Sequence, residues 1–179
     1  ALNRNNDTPL HVASMKGRHQ CVELLLDRQA DVNAPNENKE TPLLLAAVYA
    51  RRQCIELLLD RHADVNTVTR MSHTPLHGAS TNGHHQCVEL LLDRHADVHA
   101  RDFHENTPLH HASSSGHHQC VKLLLDRHAD IAARNEEEDA PLHYASRNGH
   151  HQCVELLLDR HADINAVDRN GNTPLHDAS

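Results

Sequence analysis

Apolar residues along this chain alternate between a sparse stripe and a dense block. Leu76 and Ala79 form one such stripe behind a Thr-Pro pair, and Cys87, Val88, Leu90, Leu91 and Leu92 form the block that follows. The spacing within each is that of a helix with one buried face. Thr74 is a natural N-cap, and Pro75 stands at the first helical position, where a missing N–H costs nothing, so a short first helix is predicted. Gly83 can take the left-handed conformation that ends it. The run from His85 to Arg94 predicts a longer second helix, antiparallel to the first. Residues 97–106 are polar and predict a loop or hairpin leading to the next Thr-Pro pair.

This arrangement is copied along the chain. The tetrapeptide that begins at Thr8 recurs at Thr41, Thr74, Thr107, Ala140 and Thr173, always 33 residues on. Residues 1–179 therefore read as a single array: a partial unit 1–7, full units 8–40, 41–73, 74–106, 107–139 and 140–172, and a partial unit 173–179. No unit can bury its leucines alone, so consecutive helix pairs must share one seam.

The residues at Thr74 to His77 (TPLH), Gly83 and His84 (GH) and Ala96 to Val98 (ADV) resemble the ankyrin repeat, and the likeness covers essentially the whole chain. It implies an all-α, ankyrin-repeat solenoid of stacked antiparallel helix pairs joined by short hairpin loops. It also implies a protein–protein interaction scaffold, with its partner on the concave face formed by loop tips and first helices. His11, His77, His110, His143 and His176 are similar to the hydrogen-bonding ladder that ties neighbouring repeats in this family. No polar capping repeat is visible, so further ankyrin repeats of the same parent chain are expected at both ends.

Departures from the family pattern mark expected weak joints. Gln29, His62, His95, His128 and His161 stand where the family has Gly after the second helix, and each should cost about 1 kcal/mol if it turns left-handed. Leu44 replaces the motif His and Ala50 the helix-ending Gly, while Ala140 lacks the capping hydroxyl.

Composition narrows the function. With no Trp, one Phe and two Tyr, the core must be thin and aliphatic. A formal charge of −8 repels phosphate backbones and anionic bilayers, so neither nucleic acid nor membrane is expected as a partner. There is no run long enough to span a bilayer and no signal-like start. Ala1 in place of Met reads as processing or excision, and the expected location is intracellular, cytoplasmic.

Cys21, Cys54, Cys87, Cys120 and Cys153 recur at one helical position. Copies in this family stack about 10 Å apart, beyond the roughly 7 Å reach of a disulfide, so all five are expected as reduced core residues. His84, His117 and His150 each begin an H-H-x-C sequence, and His and Cys three apart on a helix could hold half a zinc site. The Cys should face the core and the first-turn His water, so no metal and no cofactor is expected. A phosphate loop, a nucleophile elbow and H-E-x-x-H are all missing, and Ser113 to Ser115 beside His117 are explained by capping, so the chain does not read as an enzyme. Protonating all 20 histidines would move the formal charge from −8 to +12, which should weaken the stack in acid.

The second helix hardly changes between copies; the first helix and the loop do. Val12, Leu45, Gly78, His111 and Tyr144 are equivalent, as are Glu37, Arg70, Phe103, Glu136 and Arg169. All three aromatics fall at non-repeating positions. Tyr49, Arg70, Met71, Phe103, His104, His111, Tyr144 and Arg147 are accordingly the candidate partner-binding residues, standing free along one rim. The acidic run Glu136, Glu137, Glu138 and Asp139 favours a basic patch on the partner. Two other readings remain: an engineered or consensus-like ankyrin protein, and a substrate for an ankyrin-directed asparaginyl hydroxylase at Asn33, Asn66 or His99.

Overall fold

A computed structural model describes residues 5–177 of the chain, with helices and no strand among them. The first helices are α1 (Pro9–Met15), α3 (Pro42–Val48), α5 (Pro75–Thr81), α7 (Pro108–Ser114) and α9 (Pro141–Arg147). Each is followed by a longer second helix: α2 (His19–Asp27), α4 (Arg52–Asp60), α6 (His85–Asp93), α8 (His118–Asp126) and α10 (His151–Asp159). A last short helix, α11 (Pro174–Asp177), opens another pair.

Contacts divide the chain into two compact units, residues 1–79 with 86–97 and residues 80–85 with 98–179. In the first unit α1 packs on α2 and α3, α3 on α4, and α2 on α4. In the second, α7 packs on α8 and α9, α9 on α10 and α11, and α8 on α10. First helices thus stack on first helices and second on second. Leu10, Val22, Leu43, Ile55 and Leu58 are fully buried in one unit, and Leu109, Val121, Leu124, Leu142 and Leu157 in the other. At roughly 2 kcal/mol per buried aliphatic side chain, this shared seam is the dominant stabilising element in each.

The Thr-Pro-Leu-His motif closes each first helix at its start. In α7 the Thr107 N–H donates to His110 Nδ1 at 3.1 Å, and the Thr107 hydroxyl meets the same nitrogen at 2.9 Å. The other ring nitrogen reaches the next turn, with His110 Nε2 3.1 Å from the Asp139 carbonyl oxygen. His11 bonds to Glu40 and His143 to Asn172 in the same way, at 3.0 and 3.3 Å. Because Nδ1 accepts a backbone N–H and Nε2 faces a carbonyl, only the neutral tautomer with its proton on Nε2 satisfies the site. Ala140 keeps part of this device without a hydroxyl, since its N–H still donates to His143 Nδ1 at 3.0 Å. Leu44 cannot, and the Thr41 hydroxyl instead meets that of Thr67 at 3.1 Å.

Gln29, His62, His95, His128 and His161 all take positive φ, between 64° and 67°, as expected of a left-handed C-terminal residue. Ala50 does so too, with φ 57°. Arginines after the second helices reach back one copy: Arg61 to Asp27, Arg94 to Asp60 and Arg160 to Asp126, each at 2.8 Å.

Two expectations are corrected. The residues just before α8 and α10 do not simply face water. His117 Nε2 lies 3.1 Å from the Thr81 carbonyl oxygen and His150 Nε2 3.0 Å from that of Ser114. Their rings cover Gly83 and Gly116, where a Cβ would stand 2.5 and 2.6 Å from the imidazole. Positive φ and a neighbouring ring together demand glycine at these positions. Nor are all cysteines in the core: Cys54, Cys87, Cys120 and Cys153 are buried, but Cys21 is exposed. Its side of α2 carries no earlier second helix among the described residues.

Candidate functional site

The polar stretch between pairs is built around one residue per copy. Asp102 Oδ1 accepts the N–H of His104 at 2.8 Å and of Asn106 at 2.9 Å, while the Asp102 N–H donates to the Asn106 carbonyl. Asn36, Thr69, Asn135 and Asp168 do the same in their own turns. The result is a tight hairpin whose fourth residue turns left-handed, at φ 58° to 61° for Lys39, Ser72, Glu105 and Glu138. Sequence reasoning passed over these organising residues, although an Asn, Asp or Thr recurring every 33 positions was the available signal.

Adjacent tips are linked through the backbone. Within the first unit the Glu37 N–H donates to the Asn5 carbonyl and the Arg70 N–H to that of Asn38. Within the second, Glu136 donates to His104 and Arg169 to Glu137. Main chain at these positions is fixed whatever the side chain, which is why the side chains can differ so freely between copies. Asn33 and Asn66 add a second tie, their Oδ1 atoms accepting the N–H groups of Asp64 and Asp97 at 2.9 Å.

In the first unit Arg70 and Met71 come together at one tip. Arg70 Nε donates to the Glu37 carbonyl at 2.7 Å, and both side chains border a hollow of about 420 Å³ lined also by Leu44, Val48 and Gly78. Tyr49 does not join them. It is exposed at the C-terminal end of α3, a helix about 10 Å long that separates it from the hairpin end.

In the second unit Phe103 is 63% exposed, its ring edge-on to His104 with centroids 5.3 Å apart. His104 Nδ1 lies 3.5 Å from Glu136 Oε2. His111 and Tyr144 depart from the expectation of free side chains. His111 Nε2 sits 2.8 Å from the buried Asp102 Oδ2, so this variable residue braces its own hairpin. The half-buried Tyr144 lies edge-on to His110, and Asn135 Nδ2 donates to its hydroxyl at 3.1 Å. Burial and the nearby Asp139 carboxylate hold the phenol pKa above its usual value. Arg147 forks onto Asp139 at 3.1 and 3.2 Å, with its guanidinium carbon 5.7 Å from the Tyr144 ring centre.

No helix among the described residues is long and apolar enough to cross a membrane. Comparison with curated proteins gives no match. The family pattern described as ankyrin repeats matches in three copies, over residues 1–69, 62–135 and 127–179. A match that runs the length of the chain, over helix pairs stacked first on first and second on second, places this protein in the ankyrin repeat family.

Proposed function

We propose that the chain is a non-catalytic scaffold that binds another protein through its turn tips and first helices. In the first unit the contact residues are Tyr49, Arg70 and Met71; in the second they are Phe103, His104, His111, Tyr144 and Arg147. The carrying observation is that the tip backbone is tied down while a 63% exposed Phe103 stands on it. A large apolar side chain held out on a rigid support loses little entropy on binding, the usual character of an anchor. Exposed glutamates at 136, 137 and 138 beside it favour a basic partner surface.

The roles within the set differ. Phe103, Met71 and Tyr49 offer area to a partner, whereas His111, Tyr144 and Arg147 hold the hairpins in position and contact it at their outer edges. A quantitative pull-down comparing the chain with a Tyr49→Ala, Met71→Ala, Phe103→Ala triple variant tests this reading. Specific captures should fall by about tenfold or more, with an unchanged thermal transition. Equal capture by both proteins would remove the site.

A further inference from the structure

The first helices differ at one position above all, and the third copy has no side chain there. Gly78 is the equivalent of Val12, Leu45, His111 and Tyr144. Its φ is not left-handed, so the backbone does not require glycine, and inside α5 this residue costs about 1 kcal/mol relative to Ala. The hollow of about 420 Å³ beside Gly78 is the result.

The fifth copy shows what such a space accepts. There the Tyr144 ring lies edge-on to His110, and its hydroxyl takes a hydrogen bond from Asn135 Nδ2. The equivalents of His110 and Asn135 are Leu44 and Thr69, and both line the hollow. Leu44, Val48 and Met71 supply its apolar wall. Thr69 Oγ1 accepts the N–H groups of Met71 and His73 at 3.2 Å each, which leaves the hydroxyl proton to donate, as Asn135 does to Tyr144. Arg70 stands exposed at the rim. Its Nε is taken by the Glu37 carbonyl, whereas its two terminal nitrogens make no bond among the described residues. The nearby carboxylates are engaged, Glu37 Oε1 accepting from Asn6 and Glu40 Oε2 from Asn36.

We infer that the hollow receives the side chain of a tyrosine that a partner protein carries next to an aspartate or glutamate. The ring takes the place that Tyr144 fills from its own helix, the phenol oxygen accepts from Thr69, and the carboxylate meets the Arg70 fork. A cation at the rim selects an acidic neighbour for the tyrosine. Tyr49 of a second molecule of this chain is a poor occupant, because Ala50, Arg51 and Arg52 follow it and Arg70 repels them. The inference rests on the turn-tip reading only in that a protein supplies the tyrosine; the chemistry of the hollow can be read without a partner.

The probe is para-hydroxyphenylpropionate, which carries both groups. It is titrated into the 179-residue chain while the Leu44 and Met71 methyl resonances are followed. Saturable shifts with a Kd of about 1 mM or tighter are expected for a ligand of this size. Phenylpropionate lacks the hydroxyl and para-cresol the carboxylate, and each should bind more weakly by about threefold or more. Arg70→Leu should erase the difference between the probe and para-cresol. Val48→Ser combined with Gly78→Tyr reproduces the Ser114 and Tyr144 combination, and so fills the hollow without the 2.7 Å approach of a Cβ at position 78 to Val48 Cγ2. That double variant should keep the thermal transition and lose the shifts. Phe103→Ala should lower protein capture and leave the titration unchanged, so failure of the turn-tip reading and failure of this one are separate results. No saturation by about 10 mM probe, equal affinity for either analogue, or undiminished binding in the double variant would overturn the inference. So would sedimentation showing a dimer that the probe dissociates, since a second molecule of the chain would then be the occupant.

Discussion

Three serines in the first helices carry a cost that the chain itself shows to be avoidable. Ser14, Ser80 and Ser113 are fully buried, and their hydroxyl oxygens have no hydrogen-bond partner. Ala47 occupies the same position in the second copy and is equally buried. A buried hydroxyl without a partner forfeits about 1–3 kcal/mol of hydration. Ser is also a poorer helix former than Ala by roughly 0.5 kcal/mol. Against this, removing one oxygen opens a void of about 10 Å³, costing only ~0.2 kcal/mol. Ser113→Ala should therefore stabilise by about 1–3 kcal/mol. The three changes are at least a copy apart, share no partner and should add, giving at least about 3 kcal/mol in all. At about 2–4 °C per kcal/mol for a chain of this size, the triple variant should melt at least about 6 °C higher. Urea denaturation and calorimetry on single and triple variants measure this directly. The reverse change, Ala47→Ser, should destabilise by a similar amount. A triple variant no more stable than the parent, with Ala47→Ser neutral, would refute the idea that these hydroxyls are unsatisfied.

Other outcomes follow from the joints. Burial, the largest cause, lowers the His110 pKa to about 4 from 6.5, against the smaller opposing effect of its bond to the Asp139 carbonyl. The unfolded chain then binds the extra proton between those values, so stability is complete above pH 6.5 and lost as the pH falls, by about 1.4 kcal/mol at pH 5.5 and about 3 kcal/mol at pH 4. Denaturation midpoints from pH 7.5 to 4 should show this slope, and His110→Leu, which copies Leu44, should flatten it; equal slopes would dismiss His110 as the cause. Gly149→Ala should cost about 1 kcal/mol for its positive φ alone, whereas Gly116→Ala must also displace the His150 ring and should cost about 2–3 kcal/mol, so equal losses in urea titrations would contradict the ring-on-glycine joint. A thiol reagent should label Cys21 rapidly and the rest slowly, since burial pushes the Cys87 and Cys153 thiols up to about 11; two or more fast thiols in the native chain would count against the packing described.

Repetition made most of the fold legible. The Thr-Pro start, the glycine stop and the leucine block each declare a local backbone state, and their recurrence at Thr8, Thr41 and Thr107 declares the stacking. The left-handed His62, His95 and His128 were readable because a helix end demands that conformation whatever residue supplies it. What escaped was side-chain reach across copies. The contact of His117 with the Thr81 carbonyl joins residues 36 apart, and no local pattern encodes it. The free-standing rim was similarly over-read: variation at His111 and Tyr144 suggested exposure, yet each is tied to Asp102 or Asn135 of its own hairpin. Unlike residues can brace one scaffold because the organising Asx side chain offers an acceptor to one and a donor to another.

The doubly engaged imidazoles have a chemical corollary. A ring whose Nδ1 accepts from the backbone and whose Nε2 donates to a carbonyl has no lone pair left to bind a cation. His11, His110 and His143 thus present no free ring nitrogen to a metal while these bonds hold. A histidine count is a poor guide to metal affinity here, since the most enclosed copies serve as mortar.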